Sequence, residues 1–250
     1  MEEARRNNVV KVNYFIGEIM KKYQRIIENK NTKLIAFYSR LINFLEDILE
    51  DAECDNVYIS IPQHSFSSTI FVDGSNCRYD LLDSINAFAE KYDIQVDIGK
   101  GNIELTSLYY KVVEEYKQSL HYIMKELAVK SLVNNIEYYL GILFNGKGFL
   151  VEGEEDRVVL PNIPQCFSSH THPSRIPIPS RADIKSIIKL FLDRGVAHAI
   201  ETVGSTLVIY RTGPLTIDDL DIIRNVEKSN NIIKALELLS RTGNIKILYL

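Results

Sequence analysis

The sequence predicts an α+β protein within the wider α/β class: a C-terminal mixed sheet flanked by helices, preceded by an N-terminal α+β region that begins with a helical hairpin. Three observations lead there. Segments with apolar residues at helical spacing are interleaved with short runs rich in Ile, Val, Tyr and Thr. Gly, Asn and Asp punctuate the joints between them. The composition, 46% hydrophobic and 25% charged over 250 residues, is that of an ordinary globular chain long enough for one large or two modest domains.

The elements follow in order. Val12, Phe15, Ile16, Ile19, Tyr23, Ile26 and Ile27 repeat along one face of a helix over 9–28, and Leu34, Ile35, Tyr38, Leu41, Ile42, Leu45, Ile48 and Leu49 along a second over 33–50. The two are expected to pair antiparallel across Asn29-Lys30-Asn31-Thr32. Strands at Val57–Ile61 and Thr69–Val72, a turn at Asp73-Gly74, a helix over 78–92, and alternation at Ile94–Ile98 and Ile103–Thr106 across Gly99–Asn102 complete a region of unknown role, residues 1–107. A second domain, 108–250, starts with a helical stretch to about 133. Ile136–Phe144 then reads as a strand ending in an Asn145-Gly146 turn. Further on, Ile184, Ile187, Ile188, Phe191 and Leu192 line a helix that stops at Arg194-Gly195. Strands at 197–202 and 206–211, a helix from about 216 to 240 and a last strand over 245–250 finish the chain. An apolar end such as Ile-Leu-Tyr-Leu suggests a docked or partner-paired edge.

Net charge is −4 and the sequence pI about 5.8, which gives no sign of a nucleic-acid partner. The first residues, Met1-Glu2-Glu3-Ala4-Arg5-Arg6, lack an apolar core behind a basic head, and no run is long enough for a membrane span, so a cytoplasmic protein is expected. Cys54, Cys77 and Cys166 lack the spacing of a disulfide framework or a zinc knuckle. Cys166, four residues before His170, shares its strand face by parity and is a conceivable metal neighbour; a buried structural thiol is the plainer reading. His64, His121 and His198 have no partner at ligand spacing and are read as structural.

Chemistry concentrates at His170-Thr171-His172-Pro173, followed after seven residues by Ser180 and then Asp183. Imidazoles two residues apart lie on one face of an extended backbone, with Thr171 turned to the other face to pack or hydrogen-bond. That is half of a zinc site. A carboxylate entering from the start of the next helix supplies a third ligand, and three protein ligands with an open position mark a catalytic site, with hydrolysis by a metal-bound water as its chemistry. Ser180-Arg181-Ala182-Asp183 before an apolar run is equally a capping box. Pro173, Pro177 and Pro179 stiffen the loop between the ligands.

His-x-His, seven residues, then Ser-x-x-Asp resembles the signature of the JAMM (MPN-plus) metalloprotease family, over residues 109–215. The resemblance implies a JAMM-like fold for the C-terminal part, a zinc cofactor (Zn2+) held by His170, His172 and Asp183, and Ser180 as the group that helps hold a developing oxyanion. It further implies an upstream strand glutamate that takes the proton of the attacking water. Glu137 is the best match, with Glu152, Glu154 and Glu155 as rivals. Such family members are zinc peptidases, many of which cut the bond after ubiquitin or a ubiquitin-like protein.

Three functions are therefore expected to compete. The first is a zinc isopeptidase acting on a ubiquitin-like protein or its conjugates, with the N-terminal region serving recognition, complex formation or homo-oligomerisation. The second is a zinc hydrolase that releases an amino acid or small group from the tail of a sulfur-carrier-like protein. The third is a non-catalytic scaffold of the same fold, whose representatives usually lack the metal ligands.

Overall fold

A seven-stranded mixed sheet positions everything that follows. The computed structural model of the protein describes residues 25–61, 69–153 and 163–250. The sheet contains β1 (Arg25–Ile27), β6 (Tyr138–Leu143), β7 (Gly148–Glu152), β8 (Gln165–Thr171), β9 (Ala197–Glu201), β10 (Thr206–Arg211) and β11 (Ile245–Tyr249), in the order β1-β7-β6-β8-β9-β10-β11. Neighbours run antiparallel except β8 and β9, which are parallel. That parallel step requires a crossover, and α5 (Arg181–Leu192) makes it. A smaller sheet, β4-β3-β2-β5, is built from β2 (Tyr58–Ser60), β3 (Ile70–Asp73), β4 (Val96–Ile98) and β5 (Ile103–Glu104), with α2 (Leu81–Tyr92) between β3 and β4 in the chain. The expected α+β architecture is present.

Both faces of the large sheet are covered, which is why β6, β8, β9 and β10 are buried at every residue instead of alternating. On one face lie α1 (Lys30–Asp51), α3 (Leu105–Glu115) and α4 (His121–Asn134), the last two joined through a π-helical turn at Tyr116–Leu120. Their apolar residues, among them Ile35, Leu41, Tyr109, Tyr116 and Met124, meet Leu140, Phe167, Ala197, Ala199 and Val208. The opposite face is covered by α5, α6 (Ile217–Lys228) and α7 (Ile232–Leu239), whose Ile187, Phe191, Ile223 and Leu239 meet Ile200, Leu207 and Ile209. Packing is thus continuous across the 107/108 division, because Ile27, Ile35 and Ile59 share a cluster with Leu140 and Val208.

A buried charge network ties α1 to the sheet. Arg211 Nη1 donates to Glu46 Oε1 at 2.8 Å, Arg194 Nη2 to Glu46 Oε2 at 3.2 Å and Arg194 Nη1 to Asp47 Oδ1 at 2.6 Å; the Tyr109 hydroxyl also donates to Glu46. Such a cluster tolerates burial only because each charge is answered.

Several expectations are corrected. The helix over 9–28 lies outside the described residues up to 24, and beyond that Arg25–Ile27 is a strand paired with Gly148–Leu150, not a helix end. The chain therefore enters α1 from a sheet edge and not from a helical hairpin. Asn29 caps α1 in a capping box with Thr32. The runs at Ile94–Ile98 and Ile103–Thr106 do not pair with each other: β4 lies parallel to β3, β5 pairs with β2, and α3 already begins at Leu105. The helix expected over 216–240 is two, because Asn231 starts a new cap at Lys234 N–H. Cys54 and Cys77 form a disulfide, brought together by a backbone bridge between the end of α1 and the turn after β3, which no sequence spacing announces. No helix among the described residues is long and apolar enough to cross a membrane.

The disulfide leaves Cys166 as the one free thiol, buried in the core. Protein denatured without reductant should therefore titrate with one reactive thiol per chain and, after reduction, with three. Three thiols before reduction would contradict the Cys54–Cys77 bond.

Candidate metal centre

The site forms where the carboxyl ends of the parallel strands β8 and β9 meet the start of α5, the place where open α/β sheets habitually bind ligands. His170 lies on β8. His172 lies just past its end, yet its N–H still donates to Glu201 O at 2.9 Å, so the backbone stays extended and both rings emerge on the α5 face. Thr171 points to the opposite face, where its Oγ1 accepts the Tyr138 N–H at 2.9 Å.

Asp183 arrives from the first turn of α5. Ser180 caps that helix: its Oγ accepts the Asp183 N–H at 3.1 Å while the Ser180 N–H donates to Asp183 Oδ2 at 2.6 Å. The capping box and the ligand are thus one arrangement, since the bond that caps the helix also aims the carboxylate at the histidines. Asp183 Oδ2 is 3.2 Å from His172 Nε2, Oδ1 is 3.3 Å from His170 Nε2, and the two Nε2 atoms are 2.8 Å apart. Ligand bonds of about 2.0–2.2 Å in a tetrahedron put neighbouring donors roughly 3.3–3.5 Å apart. The three side chains are therefore spaced to within about half an ångström for one small cation. His170, His172 and Asp183, with ligand atoms within 4.8 Å of one another, can hold a metal ion.

The outer contacts orient both rings. The backbone of Ile178, on the proline-bearing loop, lies towards His172. That loop is itself pinned, because Thr202 Oγ1 donates to Arg175 O at 3.0 Å. His170 Nδ1 lies 2.9 Å from His198 Nε2, and His198 Nδ1 lies 2.6 Å from Ser168 Oγ. His198 belongs to β9, beside Ser168 in the parallel register. No spacing in the sequence marks it, because its partner sits across a crossover.

Glu137 precedes β6, after Asn135 has turned the chain out of α4 with a positive φ of 56°. It shares a face with Tyr139, which pairs with His170, and its Oε1 lies 3.8 Å from His172 Nε2 with the side chain 37% exposed. It is near the ligand set without belonging to it. Glu152 sits directly across from Tyr138 and therefore on the other face, while Glu154 and Glu155 lie outside the described residues. Cys166 is not a neighbour of the site. A bulge opposite Ile142 and Leu143 inserts it as an extra residue in β8, which breaks the parity and turns its thiol towards Ile142 O at 3.3 Å. Burial raises that thiol to about 12. His121 lies on the far face of the sheet, 2.9 Å from the buried Glu201, and His64 is outside the described residues.

Electrostatics follow the geometry. Burial opposes the charge on Asp183, but hydrogen bonds from His170 and His172 hold its carboxyl well below the usual carboxylate range. Burial likewise opposes the His172 imidazolium, but the Asp183 hydrogen bond and charge outweigh it and raise the ring. His198 is pushed well below the ordinary histidine value by burial and by the charge of His170.

Comparison with protein-family models, with curated proteins and with solved structures finds no match for this chain.

These shifts give the metal-free chain a stability maximum near the free-imidazole value of about 6.5. His172, raised on folding, contributes stability that is complete below about 6.5 and is lost as pH rises through its folded value. His198, depressed on folding, contributes above about 6.5 and is lost as pH falls. Thermal melts of metal-free Asp183→Asn should lose the high-pH decline due to His172 and the part of the acid decline due to the depressed Asp183, and keep the part due to His198. A wild-type chain with no decline above about pH 6.5 would contradict the His172–Asp183 pair.

Proposed function

We propose that this chain is a zinc-dependent isopeptidase that cleaves a ubiquitin-like modifier from a protein, in the manner of the JAMM (MPN-plus) family that its motif resembles. The observation that carries the reading is the convergence of His170, His172 and Asp183 within 4.8 Å, with Glu137 Oε1 at 3.8 Å from His172 Nε2 but outside the set. Two imidazoles and a carboxylate suit zinc, and three protein ligands leave one position open. Bound there, zinc supplies Lewis acidity, bringing the pKa of water from about 15.7 towards 7 and polarising a carbonyl.

The chain's own residues do the rest. Glu137, partly exposed and close to the ligand set, accepts the proton of the attacking water at its carboxylate and returns it to the leaving amine. Ser180 spends its oxygen as acceptor for the Asp183 N–H, so its O–H can donate to the substrate oxygen as charge develops there. Such a donor is worth about 3 kcal/mol in comparable sites. On the loop between His172 and Ser180, Ile176 and Ile178 stand exposed at 63% and 55%, apolar side chains that a protein substrate would cover.

Two substitutions separate the roles. Glu137→Gln should retain metal and lose turnover of a ubiquitin-like fusion by about 100- to 10,000-fold, whereas His172→Ala should lose the metal as well. Turnover retained by Glu137→Gln would remove this residue from the role of base.

A further inference from the structure

Both candidate ligand rings need their lone pairs fixed towards the metal, and the two solve this differently. The backbone of Ile178 lies towards His172. The Nδ1 of His170 meets a second imidazole instead, that of His198.

We propose that His198 is the positioning residue of this site, the middle of a buried relay that fixes the tautomer and ring orientation of His170. The inference rests on the metal reading and adds to it a residue that touches no ligand position.

Geometry assigns each atom. With a metal bound at His170 Nε2, the proton of a neutral His170 sits on Nδ1, which donates to His198 Nε2 at 2.9 Å; without the metal, Nε2 can instead donate to Asp183. His198 then carries its own proton on Nδ1 and donates to Ser168 Oγ at 2.6 Å. The relay ends at the Ser168 hydroxyl. His198 therefore has its acceptor and its donor both in use, and the direction of each bond is set by the need to leave His170 Nε2 unprotonated. His198 cannot itself be a ligand here, because its Nε2 lies on the opposite edge of the His170 ring from Asp183.

Burial makes the relay rigid. His198 is 3% exposed, Ser168 3% and His170 4%. Register supplies the alignment, since Ser168 pairs with His198 across the parallel β8–β9 step and Tyr139 pairs with His170 across β6–β8. Gly141, opposite Ser168, leaves room beside the relay: a Cβ there would stand 2.4 Å from Gln165 Oε1 and 2.3 Å from the Phe149 ring. Partners that hold a metal-bound histidine from behind commonly contribute 10- to 100-fold in metal affinity.

The test is zinc affinity, measured with zinc ions alone by chelator competition on the full chain, together with the visible spectrum of the cobalt-substituted protein. His198→Phe keeps the ring and removes both nitrogens; His198→Gln keeps an acceptor and a donor. We expect His198→Phe to weaken zinc by about 10- to 100-fold and to shift the cobalt bands, with His198→Gln recovering most of the loss. Zinc affinity in a folded His198→Phe chain within about threefold of wild type would overturn the proposal, and so would a His198→Gln chain as weak as His198→Phe. If His198→Phe does not fold, Ser168→Ala decides: weakened zinc supports the relay, unchanged zinc overturns it. A wild-type chain that takes up no zinc would overturn the metal reading itself, a different outcome from wild-type zinc that is indifferent to His198.

Discussion

Two imidazole nitrogens and a carboxylate oxygen held 2.8–3.3 Å apart in a half-buried recess are an arrangement that demands positive charge. Protons can bridge these pairs, which is what the raised His172 and depressed Asp183 express. A divalent cation satisfies all three donors at once and with better directionality. The local architecture is what keeps these atoms from relaxing apart. β8 fixes His170 through pairing on both sides, the α5 cap fixes Asp183 through the Ser180 N–H, and the pinned 173–179 loop backs His172.

The opposite face of the same strands explains how that rigidity is maintained. Glu201, at the end of β9, is fully buried, and its carboxylate accepts from the Tyr116 hydroxyl at 2.5 Å and the Thr206 hydroxyl at 2.5 Å, with His121 Nδ1 at 2.9 Å and Lys125 Nζ at 3.5 Å. Its backbone carbonyl is the group that takes the His172 N–H. A satisfied charge on the helix side thus anchors the residue whose main chain extends the strand that carries His170 and His172. Tyr116 opens the π-helical turn, and the irregularity there sets its hydroxyl between Glu201 and Ser169.

Legibility in the sequence tracked the range of each interaction. His170 with His172, and Ser180 with Asp183, were readable because strand parity and a capping box are local rules, and the structure brings all of these side chains to one place. Glu137 was reached through the family resemblance, and it shares a face with Tyr139, which pairs with His170 one strand away. His198 was not, since its relation to His170 exists only through the α5 crossover and the parallel register. Parity misled at Cys166 because a bulge consumes one residue, and a helical repeat misled at Ile26 and Ile27 because a three-residue edge strand is decided by its partner β7 and not by its own pattern. The Cys54–Cys77 pairing was invisible for the same reason: its two ends are adjacent only after α1 and β3 have docked.

Whether these side chains hold one metal ion is read from metal stoichiometry. Purified wild-type protein, freed of loosely bound metal, reconstituted with zinc and desalted, should carry close to one zinc per chain by elemental analysis, and Asp183→Asn should lose or loosen it. Wild-type protein without zinc after reconstitution would rule out a metal site and leave Ser180 and Asp183 as a helix cap beside two hydrogen-bonded histidines.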